Sequence, residues 1–422
     1  MLSFREPPQL TAAHEKILRS QTIDKNGPGS IVRDFETLLR FVGENELAAS
    51  GVLHLPPMTV VPQLNEAMAN PIDVKLKRPQ WKSFPNLFGL YLLLRTSGLI
   101  FIETVGLKSW LRIDEAALSN WNALDATEKY FTLLESWLRL ADEEVIGERV
   151  GMITPLHKCV GFWQGQTIPR ENRRVYKDAL EEFRFWPGLH HLVLFEEFGL
   201  LEIERVAAQP GKGWNFKSVK LTDWGDALFA LIAVKAPEVS IFHQESKNME
   251  DWGRFVEGQE NPLPWGQWQS FIAPYFPDWR QNFTLPALEN NVGVCVFKVS
   301  VGKTWRRIAI ASEDSLDDLS GAILNAFNFD FDHLYAFYYE SRTGSRLKAL
   351  HPFMDEGPDA TEIKIGSLPL RVGDFMVYLY DFGDNWQFLV TLEEVRPPDA
   401  KLKNPRVLEK KGKAPEQYPD WD

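Results

Sequence analysis

Two cysteines in 422 residues, Cys159 and Cys295, are too few for a disulfide framework, and their separation fits no cysteine-based zinc site. A reducing, cytoplasmic setting is therefore expected. No apolar run reaches the ~18 residues that a membrane span needs. Met1–Leu10 has no apolar stretch of the signal-peptide kind. An excess of positive charge is missing too. The formal net charge is −12, from 46 basic and 58 acidic residues, which argues against a nucleic-acid footprint over the whole chain. Only residues 396–422 are net basic.

Catalytic signatures are also absent. There is no Gly-x-Ser-x-Gly elbow and no His-Glu-x-x-His helix. Asp381-Phe382-Gly383 occurs without the companion loops of a kinase. Gly302-Lys303-Thr304 ends like a P-loop, but Phe297 stands where the earlier glycine is required, and a strand pattern follows. His190 and His191 are adjacent on a helical pattern and are expected to point apart, as poor co-ligands. No cofactor and no metal are expected on this reading.

What is present suggests two or three domains, with 15 Trp and 28 Phe to fill their cores. Residues 1–83 read as a helical and loop-rich segment, with apolar spacing over Ile31–Val42 and then five prolines. Residues 84–150 carry a helix ended by Gly98, a hairpin turning at Gly106 and a helix from Asp114. Residues 151–290 repeat the order: a helix over His190–Phe198, Gly199, a strand, a turn at Gly211 and Gly213, a strand, and a helix capped by Thr222. Helix, hairpin, helix resembles the end of a winged-helix module in both places. The basic residues Arg170, Arg173, Arg174, Lys212, Lys217 and Lys220 are then the candidate contacts to DNA phosphates. Glu103, Glu202 and Glu204 flank the same hairpins. The Trp- and Pro-rich stretch 251–290 has two readings: a platform for stacked bases, or a staple of an irregular segment to a neighbour.

Residues 291–396 read as a compact α+β domain with an antiparallel sheet. Val292–Val301 and Thr304–Ala311 alternate as strands about Gly302-Lys303. Ser315 with Asp318 forms a capping box ahead of the buried stripe Leu316, Leu319, Ile323, Leu324, Phe327. His333–Tyr339 and Thr361–Ile365 follow as strands, with a polar loop between them. Two further strands meet at Tyr380-Asp381-Phe382-Gly383-Asp384-Asn385-Trp386, a tight turn in which Gly383 is expected to take the positive φ. Residues 397–422 are left as a basic tail.

These motifs, in this order, resemble the plasmid pRiA4b ORF-3-like family, also described as a passenger protein of an insertion sequence. The motifs that carry it lie in Thr304–Ile308, Leu316–Phe337 and Tyr380–Trp386, and the resemblance covers Val292–Val395. It implies an α+β domain and an association with mobile elements, and it implies no activity. The family often has His-Leu-His where this chain has His333-Leu334-Tyr335, and a His soon after the motif Trp where Gln387-Phe388 stand. A Cys- and Gly-rich end, common in the family, is missing from the tail.

The functional reading is a non-enzymatic, cytoplasmic accessory binding protein that meets DNA or a protein partner, and no membrane. One alternative is a metal-dependent hydrolase built on Asp381, Asp384 and His333. The other is a protein-interaction scaffold, which the acidic charge suits. Apart from either, Asp381 and Asp384 have a structural reading in which they cap the amides of their own turn.

Overall fold

The computed structural model describes residues 9–105, 108–148, 154–166, 174–175, 182–240, 264–286, 291–354 and 357–418. The chain folds as two compact units. None of the described helices is long and apolar enough to cross a membrane.

The first unit comprises Met1–Ile102, Lys108–Asn248 and Asn261–Pro286. Its elements are α1 (Ala12–Ser20), α2 (Ile31–Glu44), β1 (Ala48–Ala49), α3 (Val61–Ala67), α4 (Pro85–Thr96), β2 (Ile100–Val105), β3 (Lys108–Ile113), α5 (Glu115–Asn122) and α6 (Ala126–Glu135). After these come α7 (Pro155–Gly161), β4 (Arg174–Val175), α8 (Leu189–Glu197), β5 (Leu201–Arg205), β6 (Phe216–Leu221) and α9 (Asp223–Lys235). One order thus occurs twice: helix, short strand, a turn or helix, a long helix, a hairpin, a helix. Each occurrence closes a three-stranded sheet, ordered β1-β3-β2 and β4-β6-β5, with the short first strand on the last. Local chemistry sets the joints. Gly98 and Gly199 follow α4 and α8 at φ +67° and +72°, where a side chain would be strained. Asp114 and Thr222 accept the N–H groups of Ala117 and Gly225 and so start α5 and α9.

The two long helices pack on each other. Every residue of α4 is buried, as are His190–Phe195 and Glu197 of α8. A Cβ placed on Gly89 would lie 2.9 Å from Leu194 Cγ, so glycine is what lets the backbones approach. Residues 264–286 lie along α6. The Glu135 carboxylate accepts the N–H of Trp268 at 2.8 Å and that of Gly266 at 2.5 Å. Ser136 accepts the Trp265 indole N–H at 2.8 Å. Glu128 accepts the N–H groups of Arg280 and Gln281. Trp265, Trp268 and Trp279 are buried in the common core. They staple the segment and offer no face to a base; Trp252 lies outside the described residues.

The second unit comprises Glu103–Leu107, Met249–Glu260 and Ala287–Asp422. It is a seven-stranded antiparallel sheet with one main helix, α10 (Leu316–Phe327). The strands are β7 (Val294–Val301), β8 (Thr304–Ala311), β9 (Tyr335–Glu340), β10 (Arg346–Leu350), β11 (Phe375–Tyr380), β12 (Trp386–Arg396) and β13 (Arg406–Lys411), in the order β10-β9-β11-β12-β7-β8-β13. Ser315 and Asp318 form the capping box of α10, and its apolar stripe is buried with Met376, Tyr378, Phe388 and Val390. Arg306 holds the edge together. Its buried guanidinium donates to Ala326 O, Lys411 O and Gly412 O and lies over the Phe327 ring.

Three sequence expectations are corrected here. Arg346–Leu350, read as polar loop, is the edge strand β10. Part of the basic tail is the other edge strand, β13. Thr361–Ile365 is no strand: Asp359 Oδ1 accepts both Thr361 N–H and Thr361 Oγ1–H at 2.7 Å, which curls the chain into a turn.

The Gly89 contact makes a prediction. Gly89→Val forces α4 from α8 and is expected to cost about 1–3 kcal/mol, read as a lower urea midpoint with an unchanged slope.

Candidate functional site

The turn joining β11 to β12 is built by hydrogen bonds to its own backbone. Asp381 Oδ1 accepts the N–H of Gly383 at 2.8 Å and of Asp384 at 3.3 Å, and Asp381 O accepts Asn385 N–H at 2.7 Å. The positive φ sits on Asp381 and Asn385, both +56°, and not on Gly383 as the sequence suggested. An aspartate tolerates that conformation because its carboxylate bonds locally. The buried hydroxyl of Tyr380 gathers the neighbouring loop by accepting the N–H groups of Asp332 and His333 at 3.1 and 3.2 Å and donating to Asp330 O. Trp386 packs edge-on against Phe329, and its indole N–H is buried without a partner.

Of the three candidate catalytic residues, the fold brings two together. His333 Nε2 lies 3.4 Å from Asp381 Oδ2. Asp384 is exposed and takes no part. The tail meets the same corner: Tyr418 OH donates to Asp332 Oδ2 at 2.7 Å and stands 3.1 Å from His333 Nε2. Gln417 accepts Asp330 N–H at 2.6 Å. Asp381 and His333 are therefore already engaged by the fold itself.

A second constellation was missed in the sequence, and it corrects the expectation for the histidine pair. His190 Nε2 and His191 Nε2 both lie 3.1 Å from Glu143 Oε1, and their rings are 4.1 Å apart between centroids. Neighbouring Cβ atoms do diverge on a helix, but the far ends of two imidazoles still reach one oxygen placed between them. The doublet was visible in the sequence, whereas nothing about Glu143 marked it as the partner. Lys158 Nζ holds the other carboxylate oxygen at 2.5 Å. Burial would raise the Glu143 carboxyl, but the N–H groups of His190 and His191 outweigh it and hold the group well below the usual carboxylate range.

Among the described residues this is the one group of three whose ligand atoms converge as a metal site would require, within 4.8 Å of one another. Its chemistry does not fit a metal. Trp137 Nε1–H donates to His191 Nδ1 at 2.8 Å, so the proton of the neutral ring sits on Nε2 and points at Glu143. A metal on Nε2 would need that proton on Nδ1, facing the indole N–H. Lys158 already neutralises the carboxylate. The cluster is a compensated buried ion pair.

The candidate DNA contacts are mixed. Lys217 pairs with Glu204 at 2.6 Å and Lys220 with Glu202 at 3.3 Å. Lys212 is exposed beyond β5, and Arg174 stands on β4 in register with Lys220. Arg170 and Arg173 lie outside the described residues.

Residues 296–418 match the family model described as Plasmid pRiA4b ORF-3-like protein. Among solved structures, the chain is similar to the crystal structure of a protein of unknown function from Methanosarcina mazei Go1. The two share 28% identity at a TM-score of 0.27, over 29% of this chain and 70% of that one. No curated protein matches the chain.

Two predictions follow from this geometry. Tyr380→Phe strips an acceptor from two loop amides and is expected to cost about 1–3 kcal/mol in urea unfolding, while Asp384→Ala leaves the midpoint where it was. His191 is lowered from 6.5 to about 4, first by burial and then by the charge of His190. As pH falls through that window the unfolded chain takes the proton and the folded chain does not, so the contribution of His191 is full above pH 6.5 and lost toward pH 4. The stability gap between wild type and His191→Gln should narrow by about 3 kcal/mol on acidification from pH 7 to pH 4.

Proposed function

We propose that this chain, whose residues 296–418 form a plasmid pRiA4b ORF-3-like domain, is a non-enzymatic accessory binding protein that engages a protein partner in a reducing cytoplasm. The observation that carries the reading is the burial of α4 and α8 in each other. If the two repeats are winged-helix-like, as their element order and sheet order support, these are the helices that would enter a major groove. With both helices buried, groove reading would require the repeats to separate. The wing cations Lys217 and Lys220 are neutralised by their own hairpin. Both cysteines are free and buried, which suits a reducing compartment. Asp381 bonds its own turn, which supports a structural role over hydrolysis. Association with mobile elements rests on the family's description alone.

A second reading, contact with DNA phosphates through the strand pair of Arg174 and Lys220 and through Lys212, is favoured by the register of Arg174 with Lys220 and by the exposure of Lys212 and Lys220. Fluorescence anisotropy with a labelled duplex at low salt separates the two. We expect no binding tighter than about 100 µM, and the same co-purifying protein partner with and without nuclease. Micromolar binding that weakens with salt, and that drops when Lys212, Lys217 and Lys220 are changed to Glu, would replace this reading with the DNA one.

A further inference from the structure

A cleft of about 420 Å³ in the C-terminal unit runs between α10 and the segment that enters β13. That is the lower end of the size range for small-molecule sites. Its two sides carry opposite charge. On α10 stand Asp317 and Asp318; on the facing segment stand Asn404 and Arg406. Asp317 Oδ1 accepts the Tyr335 hydroxyl, and Asp318 Oδ2 accepts Ser315 N–H and Oγ–H. Among the described residues each carboxylate keeps its other oxygen unengaged.

The Arg406 side chain is exposed and, among the described residues, makes no hydrogen bond or ion pair, although its backbone stands in register with Ala309 of β8. This is unlike its neighbours. Arg307 pairs with Glu393 at 2.7 Å, and Arg396 with Glu394 at 2.7 Å. The Asn404 amide is likewise unengaged among the described residues. The acids and the guanidinium share one cleft yet form no ion pair with each other. Gly321 and Ala322 keep the α10 side shallow, and Ala326 and Val407 add apolar lining.

We propose that the cleft binds a small zwitterion, a free α-amino acid with a short aliphatic side chain or the corresponding dipeptide. Its ammonium meets Asp317 and Asp318. Its carboxylate takes the Arg406 fork in the two-bond geometry that guanidinium favours, with the Asn404 amide beside it. A ligand of one charge would satisfy only one side. The aliphatic side chain lies toward Ala326 and Val407. This inference is independent of the partner proposed above, because the cleft involves none of the residues used there.

The test is isothermal titration of the full chain with free L-amino acids and with Ala-Ala. At least one zwitterion should saturate. Its N-acetyl and its carboxamide derivatives should each bind at least about ten-fold more weakly. Arg406→Ala should lose a similar factor while the far-ultraviolet spectrum and urea midpoint stay unchanged, and Arg406→Lys should recover part of the loss. The proposal is overturned if no zwitterion saturates below about 10 mM, if blocking either terminus leaves affinity unchanged, or if Arg406→Ala binds like wild type.

Discussion

Gly89 and Leu194 meet at a separation that leaves no room for a side chain at position 89. From that approach much of the N-terminal unit can be reasoned. Two helices buried on nearly every face, polar residues such as Arg95 and His191 included, can be stable only if each is covered all round. α4 and α8 supply part of that cover to each other, and the two hairpins are then displayed at the ends of helices that are themselves hidden. The long helix of each repeat is thus committed to a paired core.

The carboxylates inside this unit show how similar burial gives opposite electrostatics. Glu135 accepts two backbone amides and has Arg139 at 3.8 Å, yet burial prevails and its carboxyl is raised. Glu143 accepts two imidazole N–H groups, burial is outweighed, and its carboxyl is lowered. The donors decide the sign. Each arrangement links parts distant in sequence: Glu135 ties α6 to the stretch at 266–268, and Glu143 ties residues near the end of the first repeat to α7 and α8 in the second.

How much of this was legible in the sequence depended on whether the signal was local. The capping box at Ser315 and Asp318, the caps at Asp114 and Thr222, the glycines after α4 and α8 and the stripe of α10 are contained within a few residues, and each was readable. The mixed α+β architecture and the family of the C-terminal domain were readable for the same reason. The edge strands β10 and β13 were not. Arg346-Leu-Lys-Ala-Leu and Arg406-Val-Leu-Glu-Lys-Lys carry the charges that edge strands use against wrongful pairing, and such charges look like loop. The convergence of His190 and His191 needed an oxygen 47 residues away. The location of the positive φ turned on whether Asp381 bonds its own turn, which residue identities alone leave open.

The C-terminal unit supplies a criterion for where its function would lie. A polar side chain whose donors and acceptors are already satisfied by the fold has little left with which to recognise anything, and moving it exposes buried groups. Tyr380, Asp381 and Gln417 are of this kind, so the motif that looks most like a site is the part least free to act as one. Arg406 and Asn404 are the opposite. Their side chains make no hydrogen bond among the described residues, and they share a cleft with carboxylates that each keep one oxygen unengaged among those residues. Two opposed charges kept apart in one cleft lose little on folding, because water solvates both. A ligand carrying both charges is the kind that would gain by replacing that water. Recognition in this unit is therefore argued from unengaged groups, and motif density is a guide to its scaffolding.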